Sequence, residues 1–480
     1  MILKRLLRTP AAVLLAASTI AAAPPPAAPG EAPTAKYFAS IRNDPSLLLA
    51  FLAEMPKGGD LHNHLSGAIY AESYLRWAAD DGLCVASATL ALVSGTCDAS
   101  AGRPAAADVI RNGSLYGRVI DAMSMRHWDP SLNGHDHFFA TFGKMGPASA
   151  KTGEMLAEVA ARAAAEQVSY LELMLTPDGG AGAARGLVAG WDPDLGKLRD
   201  TLLAAGFRDA VVSAARGRLD QAEARERDLL KCGTSQPDPG CRVTIRYISQ
   251  VTRAAVPQSV FAQMLSGFEI ASVDPRVVAL NLVQPEDDPA AIRDFSLQMS
   301  MLDFLHNRYP GVKITLHAGE LTEGLVPPET LRFHMRESMR TGHASRIGHG
   351  AGVMYEADPL ALLREMAAKH VLVEIALSSN DLILGMKGRR HPLRTYLKYS
   401  VPVALVTDDA GVSRSTLTLE YRKAVEEQGL DYRTLKRMAR NSIEYSFADA
   451  ATKSRLDADL HAAFQAFERR TANAARRTTP

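Results

Sequence analysis

Histidines and carboxylates stand at the ends of four short apolar runs in this chain of 480 residues. The residues are His62 and His64 in GGDLHNH, His317 and Glu320 in VKITLHAGE, His349 in SRIGHG, and Asp408 and Asp409 in VPVALVTDD. Three imidazoles and one carboxylate that meet at one point are a suitable ligand set for Zn²⁺. A single histidine at a strand end is usually structural, but the convergence of several such ends predicts a metal centre.

Parallel strands are the elements that must bring these side chains together. Eight apolar runs, each followed by a helical stretch, recur along the chain: GGDLHNH, then residues 168–175, 242–250, 277–284, 312–320, 345–350, 371–380 and 401–409. This alternation is typical of an α/β fold with a covered parallel sheet, and eight strands favour a closed (β/α)8 TIM barrel. The runs have no Gly-rich phosphate loop after them, which disfavours an open, doubly wound sheet. Since all strand ends of a barrel share one face, the predicted ligands should meet there.

Spacing separates two pairs of histidines. His62 and His64 lie two apart on a predicted strand, so both side chains point the same way. His135 and His137 have the same spacing but lead into a Phe-rich helical stretch, where residues two apart do not face together. We therefore expect the second pair to mark a helix start rather than a metal site. Among the remaining histidines, His391 is expected to be structural. We expect His306, His334 and His461 to be solvated.

The first residues have the three parts of an export signal. Lys4, Arg5 and Arg8 precede an apolar run over residues 11–23 that ends in small residues. A run of this length is too short to span a bilayer, so the pattern predicts a signal peptide at residues 1–23. A disordered Ala-rich tail is the alternative. Export to the periplasm or the extracellular space is therefore expected.

The rest of the chain is predicted to form one barrel domain. Residues 24–33 are rich in proline and are expected to be a linker, and residues 34–480 form the domain. Residues 34–54 favour an N-terminal helix that Pro45 interrupts. The segment at about 78–145 is too long for a simple crossover, so we expect a helical insertion after strand 1.

The four cysteines fall into two local pairs. Cys84 lies close to Cys97, and Cys232 lies close to Cys241, within a Pro/Gly loop. The pairs have no metal-ligand spacing such as CxxC. In an oxidising compartment, close pairs predict disulfides across surface loops, and four buried free thiols are the alternative.

The balance of charged residues limits the kinds of binding partner that are expected. The chain has 54 Lys and Arg against 53 Asp and Glu, and its basic residues form no cluster interleaved with aromatics. Neither a nucleic-acid partner nor a membrane span is expected. A small-molecule substrate is therefore the expected partner, and the sequence leaves the oligomeric state open.

Five motifs resemble the adenosine deaminase family in their order. They are MPKGGDLHNHLSGA, TLHAGE, RIGHG, LSSN and VTDDAGVSRSTLTLEY. The start MPKGG is similar to the secreted, growth-factor-like branch, and MARNSIEYSF is similar to the family's closing helix. The resemblance covers roughly residues 55–67 and 277–447, with weaker support between them.

The resemblance implies a role for each residue of the predicted centre. One zinc ion per chain would be held by four ligands, namely His62, His64, His317 and Asp408. Glu320 would protonate the purine ring nitrogen beside the reacting carbon, which stabilises the adduct that forms when aromaticity is lost. His349 would orient or deprotonate the attacking water. Asp409 would accept a hydrogen bond from that water and contact the five-membered side of the ring.

The implied reaction is hydrolytic deamination of adenosine and 2′-deoxyadenosine, which releases ammonia. The expected substrate-binding residues are Ser66, Gly67 and Gln284, and two of them depart from the family pattern. Ser66 stands where an Asp usually holds the sugar, and Gln284 stands where a glycine N–H usually meets the purine. The alternatives are another 6-aminopurine (modified or phosphorylated adenosine, or free adenine) and a secreted binding protein that has lost catalysis.

Overall fold

Eight parallel strands form the centre of the computed structural model, which describes residues 30–129, 131–132 and 134–478. The strands are β1 (Gly58–His64), β2 (Val168–Leu175), β3 (Thr244–Thr252), β4 (Val277–Val283), β5 (Lys313–Ala318), β6 (Arg346–His349), β7 (Leu372–Ile375) and β8 (Val403–Leu405). Each strand pairs with the next in chain order. The predicted signal peptide and most of the predicted linker lie outside the described residues.

The first and last strands meet just beyond the end of β8. Asn63 forms a parallel bridge with Asp408. The Asp408 amide donates to the His62 carbonyl at 2.9 Å, and the His64 amide donates to the Asp408 carbonyl at 3.0 Å. These contacts join the two edges, and the predicted (β/α)8 TIM barrel is confirmed.

Several predicted runs extend past the strands that form. β5 ends at Ala318, and the next residue, Gly319, has a φ of +72°. β8 ends at Leu405, and Asp408 has a φ of +58°. A positive φ turns the chain out of the extended conformation, so the acids after these residues lie on loops. The LSSN motif forms the start of helix Leu377–Leu384 instead of continuing β7.

Helices follow one another between the strands of the barrel and after β8. Three of them begin with proline in the first turn, where its missing N–H costs nothing. The helices are Thr152–Ala165, Ala181–Ala189, Leu195–Ala204, Phe207–Leu229, Pro257–Ala271, Pro289–His306, His334–Arg340, Pro359–Ala368, Leu377–Leu384, Leu393–Lys398, Ala410–Ser413, Leu417–Glu426 and Tyr432–Glu444.

Two helices precede the barrel, because Asp44 and Pro45 divide the predicted N-terminal helix. They are Glu31–Ile41 and Pro45–Glu54. The Asp44 carboxylate caps the second helix by accepting from two backbone amides at 3.0 Å. Phe51 of this helix packs against Phe467 of the last helix, Ala450–Thr478, with ring centroids 5.0 Å apart.

The segment after β1 contains short helices and a two-stranded antiparallel hairpin. The helices are Leu65–Ala68, Ala71–Asp80, Ala106–Arg111, Gly113–Ala122 and His135–Met145, and the hairpin pairs Cys84–Ala86 with Ala91–Val93. Both predicted disulfides are present, with Cα atoms 5.4 Å apart for Cys84–Cys97 and 5.6 Å apart for Cys232–Cys241. Within the described ranges, the helices are too short or too polar to cross a bilayer.

Candidate metal and catalytic site

Four side chains from three strand ends converge inside the mouth of the barrel. The Nε2 atom of His317 lies 3.0 Å from Nε2 of His62 and 3.1 Å from Nε2 of His64. Oδ1 of Asp408 lies 3.4 Å from the His62 nitrogen and 3.3 Å from the His64 nitrogen. The predicted ligand set is therefore brought together as one cluster.

The spacing and charge of this cluster fit a tetrahedral cation. Ligand atoms about 2.0–2.1 Å from a tetrahedral ion lie about 3.3 Å from one another, which matches the observed separations. Burial alone would lower the pKa of His62, but the carboxylates of Asp408 and Glu374 raise it to about 10. The buried carboxylates thus require a positive charge at this point. A divalent metal ion would supply that charge.

Two polar side chains hold the imidazoles with one nitrogen facing the cluster. Glu374 Oε2 accepts from Nδ1 of His62 at 2.7 Å, and Asn281 Oδ1 accepts from Nδ1 of His317 at 3.0 Å. Each bond places the proton on Nδ1 and leaves Nε2 free for a metal. Sequence analysis missed both partners. The signal was present, because each is a polar residue inside an apolar strand.

An ionic network inside the barrel supports Glu374. Arg346 donates to Glu374 at 2.6 Å and to Glu172 at 2.5 Å, and all three side chains are buried. The guanidinium also donates to the carbonyls of Tyr445 and Leu61. Because the network satisfies the charge of Glu374, this carboxylate can be buried next to His62.

Three further polar groups, at the cluster or next to it, each have a buried atom without a hydrogen-bond partner in the described part of the chain. Oε1 of Glu320, Nε2 of His349 and Oδ1 of Asp409 are buried and have no hydrogen-bond partner among the described residues. Glu320 Oε1 lies 3.4 Å from Nδ1 of His349. A buried polar atom without a partner is costly, and such atoms at a metal cluster are free to bind a ligand.

The two carboxyl groups among them are shifted toward the protonated form. Burial raises the pKa of Glu320 well above its usual range, and Asp408 and Glu286 raise it further. Burial also raises the pKa of Asp409, and the neighbouring Asp408 adds to the shift. Both groups are therefore favoured in the protonated form, and a carboxyl group with a raised pKa is suited to general acid–base chemistry.

Glu286 fixes the loop that carries Glu320. Its carboxylate accepts from the amides of Gly319 and Glu320 at 3.1 Å and 2.7 Å, and from Nδ1 of His334 at 2.6 Å. His334 is therefore buried, and the expectation that it is solvated is wrong. This pairing joins segments 48 residues apart, so local sequence gave no signal for it.

The three predicted substrate-binding residues have different surroundings. Ser66 lines a cavity of about 640 Å³ whose walls include Arg218 and Arg225 but none of the four ligands. Gly67 lies so close to Asp409 that a Cβ on it would stand 1.6 Å from Oδ1. Gln284 has a φ of +83°, in the left-handed region that glycine adopts without strain. Gln284 thus keeps a conformation typical of the glycine it replaces.

The second histidine pair lies at a helix start, as expected. Helix His135–Met145 begins at His135, whose ring bonds to Asp136 at 2.8 Å and to Asp287 at 2.9 Å. His137 Nε2 lies within hydrogen-bond distance of the carbonyls of Asp121 and Ser124. Neither residue belongs to a metal-binding group among the described residues.

Known proteins resemble this chain in sequence and in fold. It is 29% identical to the adenine deaminase of Sinorhizobium fredii over 188 residues, which are 39% of this chain and 53% of that protein. A zinc-bound amidohydrolase of Burkholderia ambifaria has a TM-score of 0.58 at 17% identity, over 88% of this chain and 94% of that one. The N6-mAMP deaminase of Arabidopsis has a TM-score of 0.58 at 19% identity, over 86% and 99%. Both solved structures are similar to this chain in fold.

The match to a family is more extensive than the match to these curated relatives. The chain spans about half the length of the first curated relatives that it matches, at 53%. The family model described as "Adenosine deaminase" matches residues 137–463, which is more than half of the chain. With the barrel and the His/Asp cluster in place, the chain belongs to the adenosine deaminase family.

Proposed function

We propose that this protein is a zinc-dependent hydrolase that deaminates adenosine and 2′-deoxyadenosine, with one zinc ion per chain. One observation carries the proposal: three buried polar atoms without a hydrogen-bond partner among the described residues, on Glu320, His349 and Asp409, lie at or next to the cluster of ligand atoms. A binding protein without catalysis has no need of these proton-transfer groups. Their presence therefore favours an enzyme.

The side chains divide the reaction between them. The zinc would be held by His62, His64, His317 and Asp408, and it would lower the pKa of water from 15.7 to about 7. Asp409 accepts the proton of the attacking water through Oδ1. Glu320 donates its proton to the ring nitrogen beside C6 as water adds to that carbon. The amino group then takes the proton held by Asp409 and leaves as ammonia, the hydroxyl on C6 returns its proton to Glu320, and the purine becomes the 6-oxo product, inosine.

A second candidate keeps this chemistry and changes the substrate to a phosphorylated or modified adenosine, or to adenine. The 640 Å³ cavity beside Ser66 favours a nucleotide, because Arg218 and Arg225 line it. Arg225 is paired with Glu154 at 3.0 Å, whereas Arg218 has no ion pair among the described residues. The uncharged Ser66 also removes the repulsion that an acid would exert on a 5′-phosphate.

A substrate panel with one variant tests both candidates. We expect turnover of adenosine, and Ser66→Asp should lower the adenosine KM about 10- to 100-fold, because a charged hydrogen bond contributes about 1.5–3 kcal/mol. Ser149→Asp is the matched control, since Ser149 lines the same cavity and should leave this KM unchanged. The panel compares kcat/KM for adenosine, 2′-deoxyadenosine, adenine and AMP. No turnover of adenosine with turnover of AMP would move the assignment to the second candidate.

We also propose that the protein is exported from the cytoplasm. The two disulfides favour an oxidising compartment, and the signal peptide at residues 1–23 accounts for the route. Assignment to the secreted, growth-factor-like branch rests on the MPKGG start alone. N-terminal sequencing of protein recovered outside the cytoplasm should find a start near residue 24. Recovery of the intact N-terminus from the cytoplasm would contradict export.

A further inference from the structure

A line of hydrogen bonds leads from a backbone amide to His349. The amide of Leu393 donates to Nδ1 of His391 at 3.1 Å. Nε2 of His391 lies 3.0 Å from Oδ1 of Asn380, and Nδ2 of Asn380 lies 3.0 Å from Nδ1 of His349. The three side chains are buried, so water does not compete for these bonds.

The direction of every bond in the line follows from its first member. A backbone N–H can only donate, so Nδ1 of His391 is an acceptor and carries no proton. The ring proton of His391 is then on Nε2, and it is donated to the Asn380 carbonyl oxygen. The amide nitrogen of Asn380 therefore faces His349 and donates to its Nδ1. His349 must carry its own proton on Nε2.

The opposite direction is chemically excluded. If the Asn380 amide were turned over, its NH₂ group would face Nε2 of His391, and both nitrogens of that ring would have to accept. Such a ring would be an imidazolate anion in a buried site with no metal-ligand role, which is far too costly. Glu320 Oε1 also lies near Nδ1 of His349, but at 3.4 Å it is more distant than Asn380.

We infer that Asn380 and His391 are positioning residues that hold His349 as the Nε2–H tautomer and aim a hydrogen-bond donor into the site. Nε2 of His349 is the buried atom without a partner described above. The tautomer follows from the hydrogen bonds, whereas its chemical consequence rests on the proposed function. His349 orients the attacking water by donating to its oxygen, and Asp409 takes the proton.

The inference is tested by reversing the direction of the hydrogen bond between residue 380 and His349. Asn380→Asp replaces the donor that faces His349 with a carboxylate oxygen, which accepts a hydrogen bond from a proton on Nδ1. We expect ¹⁵N NMR of histidine-labelled, metal-loaded protein to show Nδ1 bare in the wild type and protonated in Asn380→Asp. His349→Asn identifies the signals by their loss. The kcat for adenosine should fall about 10- to 100-fold with little change in KM, as for other partners that orient active-site histidines.

Two further variants separate positioning from folding. His391→Gln retains a donor toward Asn380 and should keep the wild-type tautomer of His349. Asn441→Asp removes a part-buried amide bond to the Val403 carbonyl and should leave the tautomer unchanged even if the fold is weakened. A proton on Nδ1 of His349 in the wild type, or an unchanged tautomer in Asn380→Asp, would overturn the inference. Absence of adenosine turnover would instead refute the proposed function and leave the NMR result decisive.

Discussion

At the scale of single residues, the site consists of buried polar groups whose bonds leave one atom of each available. Glu374 and Asn281 use the Nδ1 atoms of His62 and His317 and leave Nε2 facing the cluster. Asp408 Oδ2 accepts from Ser379 at 2.5 Å, which leaves Oδ1 facing His62 and His64. Since each group is held through its other atom, little reorganisation is needed when a metal and substrate bind.

Glu320→Gln should separate catalysis from metal binding. An amide keeps the shape of the side chain but cannot deliver the proton, so we expect kcat to fall about 10²- to 10⁴-fold with the metal retained. Glu323→Gln, on the exposed part of the same loop, should keep wild-type activity, and His317→Ala should lose metal and activity together. Steady-state kinetics and elemental analysis give both readouts. Near-normal turnover in Glu320→Gln would remove this residue from the mechanism.

Metal binding should release a proton at pH 7. The pKa of His62 without metal is raised to about 10, so its ring is protonated below that pH. A metal ion needs the bare Nε2 atom, so it displaces the proton, and the apparent affinity for zinc rises with pH. Calorimetric titration with zinc, in buffers that differ in ionisation enthalpy, counts the protons released. A binding enthalpy independent of the buffer would contradict the raised pKa.

At the scale of elements, two short helices that follow β1 and β8 determine where the adjacent acids point. Successive residues of a strand face opposite sides, so Asp408 and Asp409 could not both reach the site from an extended β8. The φ of +58° at Asp408 ends the strand geometry, and helix Ala410–Ser413 begins after Asp409. A Cβ on Gly411 would stand 2.0 Å from the Ile69 carbonyl oxygen, so the two helices pack at backbone distance.

Gly67→Ala should displace Asp409 without removing the metal ligands. The added methyl group would stand 1.6 Å from Asp409 Oδ1, so this side chain must move. A displacement of about 1 Å in an active site can lower the rate about 100-fold, and we expect a loss of that size in kcat. Gly143→Ala is the control, because a Cβ on Gly143 meets nothing within 4 Å. Equal activity in the two variants would show that Asp409 is not constrained by Gly67.

At the scale of the whole molecule, the cluster lies where the barrel closes. Its ligands come from β1, β5 and the loop after β8, so a bound metal would connect the first and last strands across the mouth. Without a metal, the two edges are joined by the bridge of Asn63 with Asp408 and by hydrogen bonds of Thr407 with Asp60 and Asn63. Metal binding is therefore expected to stabilise the closure of the fold.

Metal removal should lower the stability of the fold and open the seam between β1 and the loop after β8. A metal at 100 times its Kd contributes about 2.7 kcal/mol, so chelation should lower Tm by several degrees. Hydrogen exchange should increase at the amides of His64 and Asp408, which bond across the seam, and not at Ile248 in β3. Re-addition of zinc should restore both measurements. Uniform loss of protection over all eight strands would contradict a local role for the metal.

The sequence alone was sufficient for the fold class, the members of the His/Asp cluster and the disulfide pairs. Apolar runs that alternate with helices determine the barrel, because each run must be buried on both faces. The barrel in turn brings every strand end to one face, so residues far apart in sequence could be predicted to meet. The ends of β5 and β7 could not be predicted, because a positive φ at Gly319 turns the chain after β5, and helix Leu377–Leu384 begins two residues after β7 ends. The loop after β8 likewise depends on the positive φ of Asp408.

Only the tertiary structure decided which partners hold those residues. Glu374 lies 312 residues from His62, and Asn281 lies 36 residues from His317, so local patterns do not connect them. The tautomer of His349 depends on the donor at Leu393, which reaches it through two other side chains. A hydrogen bond requires atoms placed to within a few tenths of an ångström, and only folding sets such distances. Residue types therefore identify the site's chemistry, whereas proton positions follow from packing.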